Sequence, residues 1–265
     1  MSRPSPAADW LAALHAGANR PPRHPRVPLW AGEARIGSVE PDFLRQVSLR
    51  AGLVAPAARG GEAGWEVNGG DLTASLHELA TSLRAAGLAH VWRDEQLAVT
   101  DEHGGRLGTV ERAVVRPLGI TTFAVHLVGL SPDGRHWVQQ RSLAKANDPG
   151  LWDTLMGGMI PATDSVAQAL ERETWEEAGL RLEQVTELRR YARVSIRRPA
   201  SEHPAGYVVE HIECYRCIVP QGVVPVNQDG EVSQFRLMAG DEVLARLQRD
   251  EFTLEAALIL LEAGL

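Results

Sequence analysis

Three glutamates, Glu173, Glu176 and Glu177, are spaced so that an α-helix would carry them on one face, because positions i, i+3 and i+4 of a helix are neighbours. Carboxylates crowded in this way repel one another, so the pattern favours a cation between them. The neighbouring sequence holds no cysteine or histidine, and such hard oxygen ligands are typical of Mg²⁺ or Mn²⁺ rather than zinc. An ion of this kind mostly holds phosphate oxygens, so the spacing predicts phosphate chemistry.

The residues around the glutamates predict a helix over Val166–Ala178. Ser165 is a suitable N-cap, and Gly179 is a suitable left-handed residue after the last turn. Arg172 can hold one carboxylate through its forked guanidinium and leave the others free for metal. The glycines before the helix let the backbone approach closely, so the Gly158 carbonyl is a candidate further ligand.

A charged, solvated helix face is the alternative interpretation of these glutamates. Glu and Arg are good helix formers, and charge pairs four residues apart are common on exposed helices. For any single glutamate this interpretation would be preferred. For the whole pattern, with its glycine loop and arginine, the metal site is favoured.

The segment resembles the Nudix box, G-x5-E-x7-R-E-U-x-E-E-x-G-U, in which U is an aliphatic residue. The residues in register are Gly158, Arg172, Glu173, Glu176, Glu177, Gly179 and Leu180. Asp164 replaces the usual glutamate, which shortens that carboxylate by one methylene, and Thr174 stands at an aliphatic position. The resemblance implies a Mg²⁺-dependent hydrolase that cleaves a diphosphate linked to another group.

Composition agrees with such an enzyme. The chain has 265 residues and a net charge of −7, which argues against general nucleic-acid binding because a phosphate-backbone binder needs a basic face. Two cysteines imply no disulfide framework, and no apolar run is long enough to span a membrane. We therefore expect a cytoplasmic protein with a small-molecule diphosphate substrate. A homodimer is plausible because symmetric pairs are the commonest oligomers.

The chain is expected to divide near residue 115 into an accessory α+β domain, residues 1–115, and a Nudix domain, residues 116–265. No catalytic constellation is apparent in the first part. Its predicted elements are a polar start (Ser2–Pro6), a helix through Trp10 and Leu14, a connector (Arg20–Pro28), a strand (Arg35–Val39), a helix start (Pro41–Val47), a loop (Ala55–Gly70), a helix (Asp71–Ala86) and a hairpin (Gln96–Thr100 with Leu107–Val110).

The second part is predicted to be mixed α/β. Its predicted strands are Thr122–Leu130, His136–Arg141, Val185–Arg197 and Tyr207–Val219, and its predicted final helices are Asp241–Arg249 and Thr253–Ala263. Strands that come before and after one central helix in the chain, with helices at the end, suit an α/β/α sandwich around a mixed sheet.

Beyond the box, the chain resembles a Nudix subgroup with an extra N-terminal domain, the thiamine pyrophosphokinase-related Nudix proteins of fungi and plants. The residues that carry this likeness are Gly119, Ile120, His126, Leu127, Trp137, Arg141, Ser142, Lys145, Pro149, Gly150, Asp153, Gly157, Gly158, Asp229, Gly230, Glu231, Val232 and Phe235. The resemblance implies thiamine diphosphate or its oxidised forms as substrate, or an oxidised nucleoside diphosphate such as 8-oxo-dGDP.

Three further residues are candidates for the site. In Nudix enzymes a glutamate from a loop after the box often approaches the metals as ligand or general base, and Glu231 is either this residue or an ordinary turn acid. Arg141 and Lys145 flank the approach to the box and could bind the diphosphate, the arginine as a fork and the lysine as a point charge. The alternative for both is a solvated basic loop.

Other polar residues are expected to be structural. His126 lies in an apolar strand and is expected to be a hydrogen-bonded core histidine. Cys214 and Cys217 form a C-x-x-C pair without a second pair or nearby histidines, which disfavours a zinc site. On a strand they would face opposite sides, which also disfavours redox chemistry.

Other functions on the same fold remain open. One is an ADP-ribose or nucleotide-sugar pyrophosphatase, and another is a non-catalytic Nudix domain that binds a metabolite. Such non-catalytic domains typically lose box glutamates, whereas this chain keeps the three on the helix. A diphosphate isomerase is also disfavoured, because the family version relies on an active-site cysteine and a degenerate box.

Overall fold

The computed structural model describes residues 8–265, so the polar start at Ser2–Pro6 lies outside the described residues. Helix α1 (Ala8–Ala18) comes first and is followed by a four-stranded sheet. The strands are β1 (Val27–Ala31), β2 (Ala34–Val39), β3 (Val54–Arg59) and β4 (Glu62–Val67), in the order β2-β1-β4-β3. Helix α2 (Leu72–Ala85) and a hairpin of β5 (Gln96–Thr100) and β6 (Arg106–Glu111) complete this part.

The predicted loop over Ala55–Gly70 is wrong, because most of that segment forms β3 and β4. Gly60 and Gly61 have φ of 58° and 86°, so they form a tight turn that joins the two strands. A Cβ on Gly64 would lie 2.3 Å from the Pro28 carbonyl oxygen of β1. The small residues therefore allow close strand packing, whereas the sequence analysis interpreted them as a loop.

Two smaller differences occur nearby. The helix predicted to start at Pro41–Val47 is only a short 3₁₀ turn, Phe43–Gln46. The predicted connector Arg20–Pro28 ends in strand, because β1 begins at Val27. The predicted helix before residue 86 is confirmed, with Asp71 as its N-cap accepting from the Ala74 N–H.

The second sheet is mixed, as expected. Its strands are β7 (Thr122–Leu130), β8 (His136–Arg141), β9 (Trp152–Asp153), β10 (Met156–Met159), β11 (Thr186–Pro199), β12 (Tyr207–Ile218) and β13 (Val232–Met238). The order is β11-β12-β7-β8-β13, with β10 beside β7 and β9 beside β8. The β12–β7 pair is parallel and the other pairs are antiparallel.

Helices cover both faces of this sheet and confirm the sandwich. On one face lies α3 (Val166–Ala178), and on the other lie α4 (Gly240–Leu247) and α5 (Leu254–Glu262). Cys214 is buried in the core under α5 and Cys217 in the core under α3, so the pair faces opposite sides as predicted.

Helix α1 packs on the second part of the chain. Its Trp10 and Leu14 contact the same core as α5 and β11. Helix α1 therefore shares a core with the second part of the chain, and the division near residue 115 stays a prediction.

The two parts are joined next to the start of α3. The β5–β6 hairpin holds the loop before α3, because Ala162 N–H donates to the Gln96 carbonyl at 2.7 Å and Arg106 Nη1 donates to the Ala162 carbonyl at 2.6 Å. A similar link joins the Ser38 N–H to the Leu118 carbonyl at 2.9 Å. None of the helices in residues 8–265 is both long and apolar enough to cross a membrane.

Candidate active site

Helix α3 has the bounds that the sequence predicted. Ser165 and Gln168 form a reciprocal capping box at its start, and Gly179 has a left-handed φ of 63° after its last residue. Leu170 and Thr174 are buried against the sheet. These contacts fix the rotation of the helix and hence the direction in which its glutamates point.

Glu177 is the most deeply buried of the three glutamates, with 2% of its surface exposed. Its Oε2 accepts from the Gly157 N–H at 3.0 Å and from Gln139 Nε2 at 2.9 Å. Burial raises the pKa of this carboxyl to about 7, against the opposing effects of Lys145 and the Gly157 N–H. The carboxylate is therefore held in a fixed position and lacks full charge compensation.

Arg172 binds three carboxylates at once. Its Nε donates to Asp164 Oδ2 at 2.9 Å, and its Nη1 donates to Glu173 Oε1 at 3.0 Å and to Glu176 Oε2 at 2.8 Å. The sequence analysis expected Arg172 to hold one carboxylate and leave the others free, whereas the structure shows it in contact with three. The shorter Asp164 still reaches it, so this departure from the box keeps a charge that anchors the guanidinium.

Gly157 and Gly158 pack directly against side chains of the site, and any larger residue at either position would collide with them. A Cβ on Gly158 would be 2.3 Å from Glu173 Cδ, and a Cβ on Gly157 would be 2.2 Å from His126 Cε1. Neither residue has a positive φ. Their role is therefore close approach of the β10 backbone to the Glu173 carboxylate and the His126 ring.

Lys145 and Glu231 come together at the glutamate cluster. Lys145 Nζ donates to Glu231 Oε2 and lies 3.7 Å from Glu177 Oε1. Burial alone would raise the pKa of Glu231, but Lys145, with Arg112 and Arg93, lowers it below the ordinary value. The structure thus brings a residue 54 positions beyond Glu177 into the charge cluster of α3.

Arg141 is also close to the site but faces other partners. Its Nη2 donates to the Asn147 carbonyl at 2.9 Å, and its Nη1 lies 3.4 Å from Asp153 Oδ2. These contacts hold the loop that carries Lys145. Direct contact between Arg141 and the glutamates is absent among the described residues.

The oxygen donors suit a hard divalent cation. In residues 8–265, no three Asp, Glu, His or Cys side chains are arranged to hold a metal ion as they stand, since Arg172 and Lys145 contact the carboxylates. Burial nevertheless raises the pKa of Glu173 to about 7, although Arg172 acts in the opposite direction. The half-buried Glu173 and the buried Glu177, with only oxygen donors beside them, fit Mg²⁺ or Mn²⁺.

A cleft of about 200 Å³ opens beside these residues. It reaches Gly158 and Lys145, which contact Glu173 and Glu177, and it is walled by both parts of the chain. His126 lines the cleft and is satisfied by Thr154 Oγ1 at 2.9 Å, as expected for a structural histidine. The cationic residues that line the cleft are Arg93, Arg112, Arg116, Arg141, Lys145 and Arg198.

Several of these residues were missed by sequence reasoning. Arg93 and Arg112 belong to the part in which no constellation was apparent, Arg116 lies just beyond it, and no local pattern distinguishes the three from surface arginines. Gln139 gave a weak signal, because a polar residue occupies a buried position of β8. Glu210 gave a similar signal in β12, where it pairs with Arg116 at 2.9 Å.

The family model described as NUDIX domain matches residues 121–258. Nudix hydrolase 24, chloroplastic, of Arabidopsis thaliana is 34% identical over 147 residues, which are 54% of this chain and 40% of that protein. An isopentenyl-diphosphate Delta-isomerase of Leifsonia xyli subsp. xyli is 34% identical over 89 residues, which are 32% of this chain and 46% of that protein. The chain therefore spans less than half the length of these relatives.

The solved structure of DR0079 from Deinococcus radiodurans has a similar fold. It matches with a TM-score of 0.50 and 19% identity, and the match covers 62% of this chain and 97% of that one. At this identity the likeness shows the fold alone. It agrees with the mixed sheet between helices described above.

Proposed function

The chain belongs to the NUDIX domain family, and on that premise we propose that it hydrolyses the diphosphate bond of a small organic diphosphate with the help of Mg²⁺. The observation that carries the proposal is the oriented carboxylate cluster at the edge of a cation-lined cleft. Arg172 fixes Glu173 and Glu176, and the Gly157 N–H fixes Glu177.

Glu173, Glu176 and Glu177, with the Gly158 carbonyl, are the residues that would hold the metal. When bound, Mg²⁺ or Mn²⁺ neutralises charge on diphosphate oxygens and lowers the pKa of a coordinated water. Among the chain's own groups, Lys145 would exchange a carboxylate partner for a phosphate oxygen. Catalysis would then depend mainly on positioning and electrostatic stabilisation, as in other phosphoryl transfers.

Glu231 is the proposed general base, with a helix glutamate as the other candidate. The lowered pKa of Glu231 keeps its carboxylate ionised at neutral pH, and its contact with Lys145 places it beside the cluster. Arg141 would act indirectly by holding the loop of Lys145, and its direct contact with diphosphate remains a prediction.

The proposed substrate is thiamine diphosphate or an oxidised form of it, or an oxidised nucleoside diphosphate such as 8-oxo-dGDP. Support for this finer assignment comes from the resemblance to the thiamine pyrophosphokinase-related Nudix proteins, which also carry an N-terminal domain. An ADP-ribose or nucleotide-sugar pyrophosphatase and a metabolite-binding domain are the alternatives. A cytoplasmic location and a homodimer stay predictions.

An isomerase activity is disfavoured by the position of the cysteines, although three relatives bear an isomerase name. The isomerase chemistry considered above relies on an active-site cysteine. Cys214 and Cys217 are both buried in the cores, and neither lines the cleft. Burial raises the pKa of each thiol to about 12, which suppresses thiolate formation at neutral pH.

Product analysis with a substrate panel tests the proposal. The panel contains thiamine diphosphate, oxothiamine diphosphate, 8-oxo-dGDP, ADP-ribose and coenzyme A in Mg²⁺, with products identified by mass. We expect orthophosphate and a monophosphate from one of the first three compounds, whereas two monophosphates from ADP-ribose would move the substrate and keep the mechanism.

Two variants on α3 provide the control. Glu177→Gln removes the buried charge and should lower kcat by orders of magnitude. Glu171→Gln changes an exposed glutamate of the same helix and should leave kcat unchanged. Equal rates for wild type and Glu177→Gln would refute the assignment of the carboxylate cluster.

A further inference from the structure

The first part of the chain forms one wall of the active-site cleft. The segments around residues 90–93 and 112–115 line the same cleft as Gly158 and Lys145 of the second part. We call the side chains of Arg93 and Arg112 the cationic wall. Since the wall and the glutamate cluster belong to different parts of the chain, the cleft is complete only when both parts are present.

A buried glutamate holds the cationic wall in place. Glu111 is fully buried, and its Oε1 accepts the backbone N–H of Arg93 at 3.0 Å and that of Ala113 at 3.4 Å. Its Oε2 is buried without a hydrogen bond in residues 8–265. Burying a carboxylate costs free energy. Here the buried Glu111 carboxylate holds the backbone of the two segments that carry Arg93 and Arg112.

The two arginines retain binding capacity. The Arg93 guanidinium is exposed and makes no hydrogen bond or ion pair with the described side chains. Arg112 uses Nη1 to bind Glu95 Oε2 at 2.6 Å, which leaves the Nε and Nη2 atoms of its guanidinium available. An arginine fork with free N–H groups is well suited to phosphate oxygens.

The wall also lies within electrostatic reach of the cluster. Both arginines help to keep the Glu231 carboxylate ionised, and Lys145 bonds the same carboxylate. The positive charge of the wall therefore acts at the Glu231 carboxylate, and the wall and Lys145 line one cleft, in which the diphosphate is expected to lie. Charges on opposite walls of a narrow cleft act on a ligand between them more strongly than exposed charges do.

We infer that Arg93 and Arg112 of the N-terminal part bind the phosphate groups of the substrate and so determine its affinity. The inference rests on the proposed function, because it assigns a ligand to the same cleft. It gives the N-terminal part a direct role in substrate binding. The ligand class is an organic diphosphate whose phosphates lie between the cationic wall and Lys145.

Binding of methylenediphosphonate tests this inference without turnover, because its P–C–P bond is not hydrolysed. Calorimetry in Mg²⁺ would compare the wild-type chain with Arg93→Ala, Arg112→Ala and the double variant. Arg93→Ala keeps the backbone N–H that Glu111 binds, so the segment should stay in place. Arg45→Ala is the matched control, because Arg45 is an exposed arginine of the same part that does not line the cleft.

We expect Kd to rise about tenfold for each single variant, which corresponds to about 1.4 kcal/mol, and further for the double variant. The control should stay within about twofold, and the effects should shrink at high salt because the wall is partly exposed. In the turnover assay, KM should rise more than kcat falls. Thermal unfolding of each variant verifies that the fold is retained.

Two outcomes of the binding measurement would overturn the inference. One is an unchanged Kd in a folded double variant, and the other is no measurable binding of the probe by the wild-type chain. Turnover that the double variant retains with the same KM would remove the inference and keep the hydrolase. Probe binding that needs both arginines, without turnover of any compound, would keep the inference and remove the hydrolase.

Discussion

Replacing Gly158 by alanine should disable the site without unfolding the chain. The added Cβ would lie 2.3 Å from Glu173 Cδ and 2.4 Å from its Oε1, whereas ordinary contacts begin at 3.4 Å. The carboxylate must therefore retreat by about 1 Å, and a misplacement of that size at a catalytic centre can cost about 100-fold in rate. The shift would also disturb the Arg172–Glu173 contact.

The assay is steady-state hydrolysis of the best substrate from the panel, with kcat and KM measured separately. We expect kcat of Gly158→Ala to fall about 100-fold, with a small change in unfolding temperature because Glu173 can move towards the cleft. Gly70→Ala is the matched control, since Gly70 has open space around its Cβ position and no positive φ. Full activity in folded Gly158→Ala would refute the reasoning, because it would show that the position of Glu173 does not matter.

Three further predictions concern other parts of the molecule. Arg172→Lys keeps the charge but loses the fork, so kcat should fall at least about tenfold; kinetics equal to wild type would show that the three-carboxylate contact is dispensable. Burial alone would raise the pKa of Glu210, but Arg116 lowers it, so this ion pair stabilises the fold above the ordinary carboxyl pKa and loses its contribution as the pH falls through the folded pKa. Urea unfolding between about pH 7 and 3 should therefore show a smaller loss in Glu210→Gln than in wild type, and identical curves would contradict the pairing. Cys214 and Cys217 should react with a thiol reagent at pH 8 only after unfolding, and rapid labelling of the folded chain would show that the cores are open.

Much of the second part follows from local sequence. The bounds of α3 were predictable because Ser165 and Gly179 satisfy the helix ends through residues close in the chain. Strand β7 was predictable from its apolar run, and β8 because it follows the turn at Ser131–Gly134. The loop predicted over Ala55–Gly70 failed because small residues there serve a contact with β1, which no local pattern reveals.

The sequence by itself determined the bounds of helix α3, the spacing of its carboxylates and the absence of cysteine and histidine beside them. These features depend on the helical period and on capping residues, which act over a few positions. The tertiary structure decided that Lys145 contacts both Glu177 and Glu231, and that Arg93 lines the same cleft as Lys145. Those neighbours are distant in the chain, and only the strand order of the mixed sheet and the packing of the two parts bring them together.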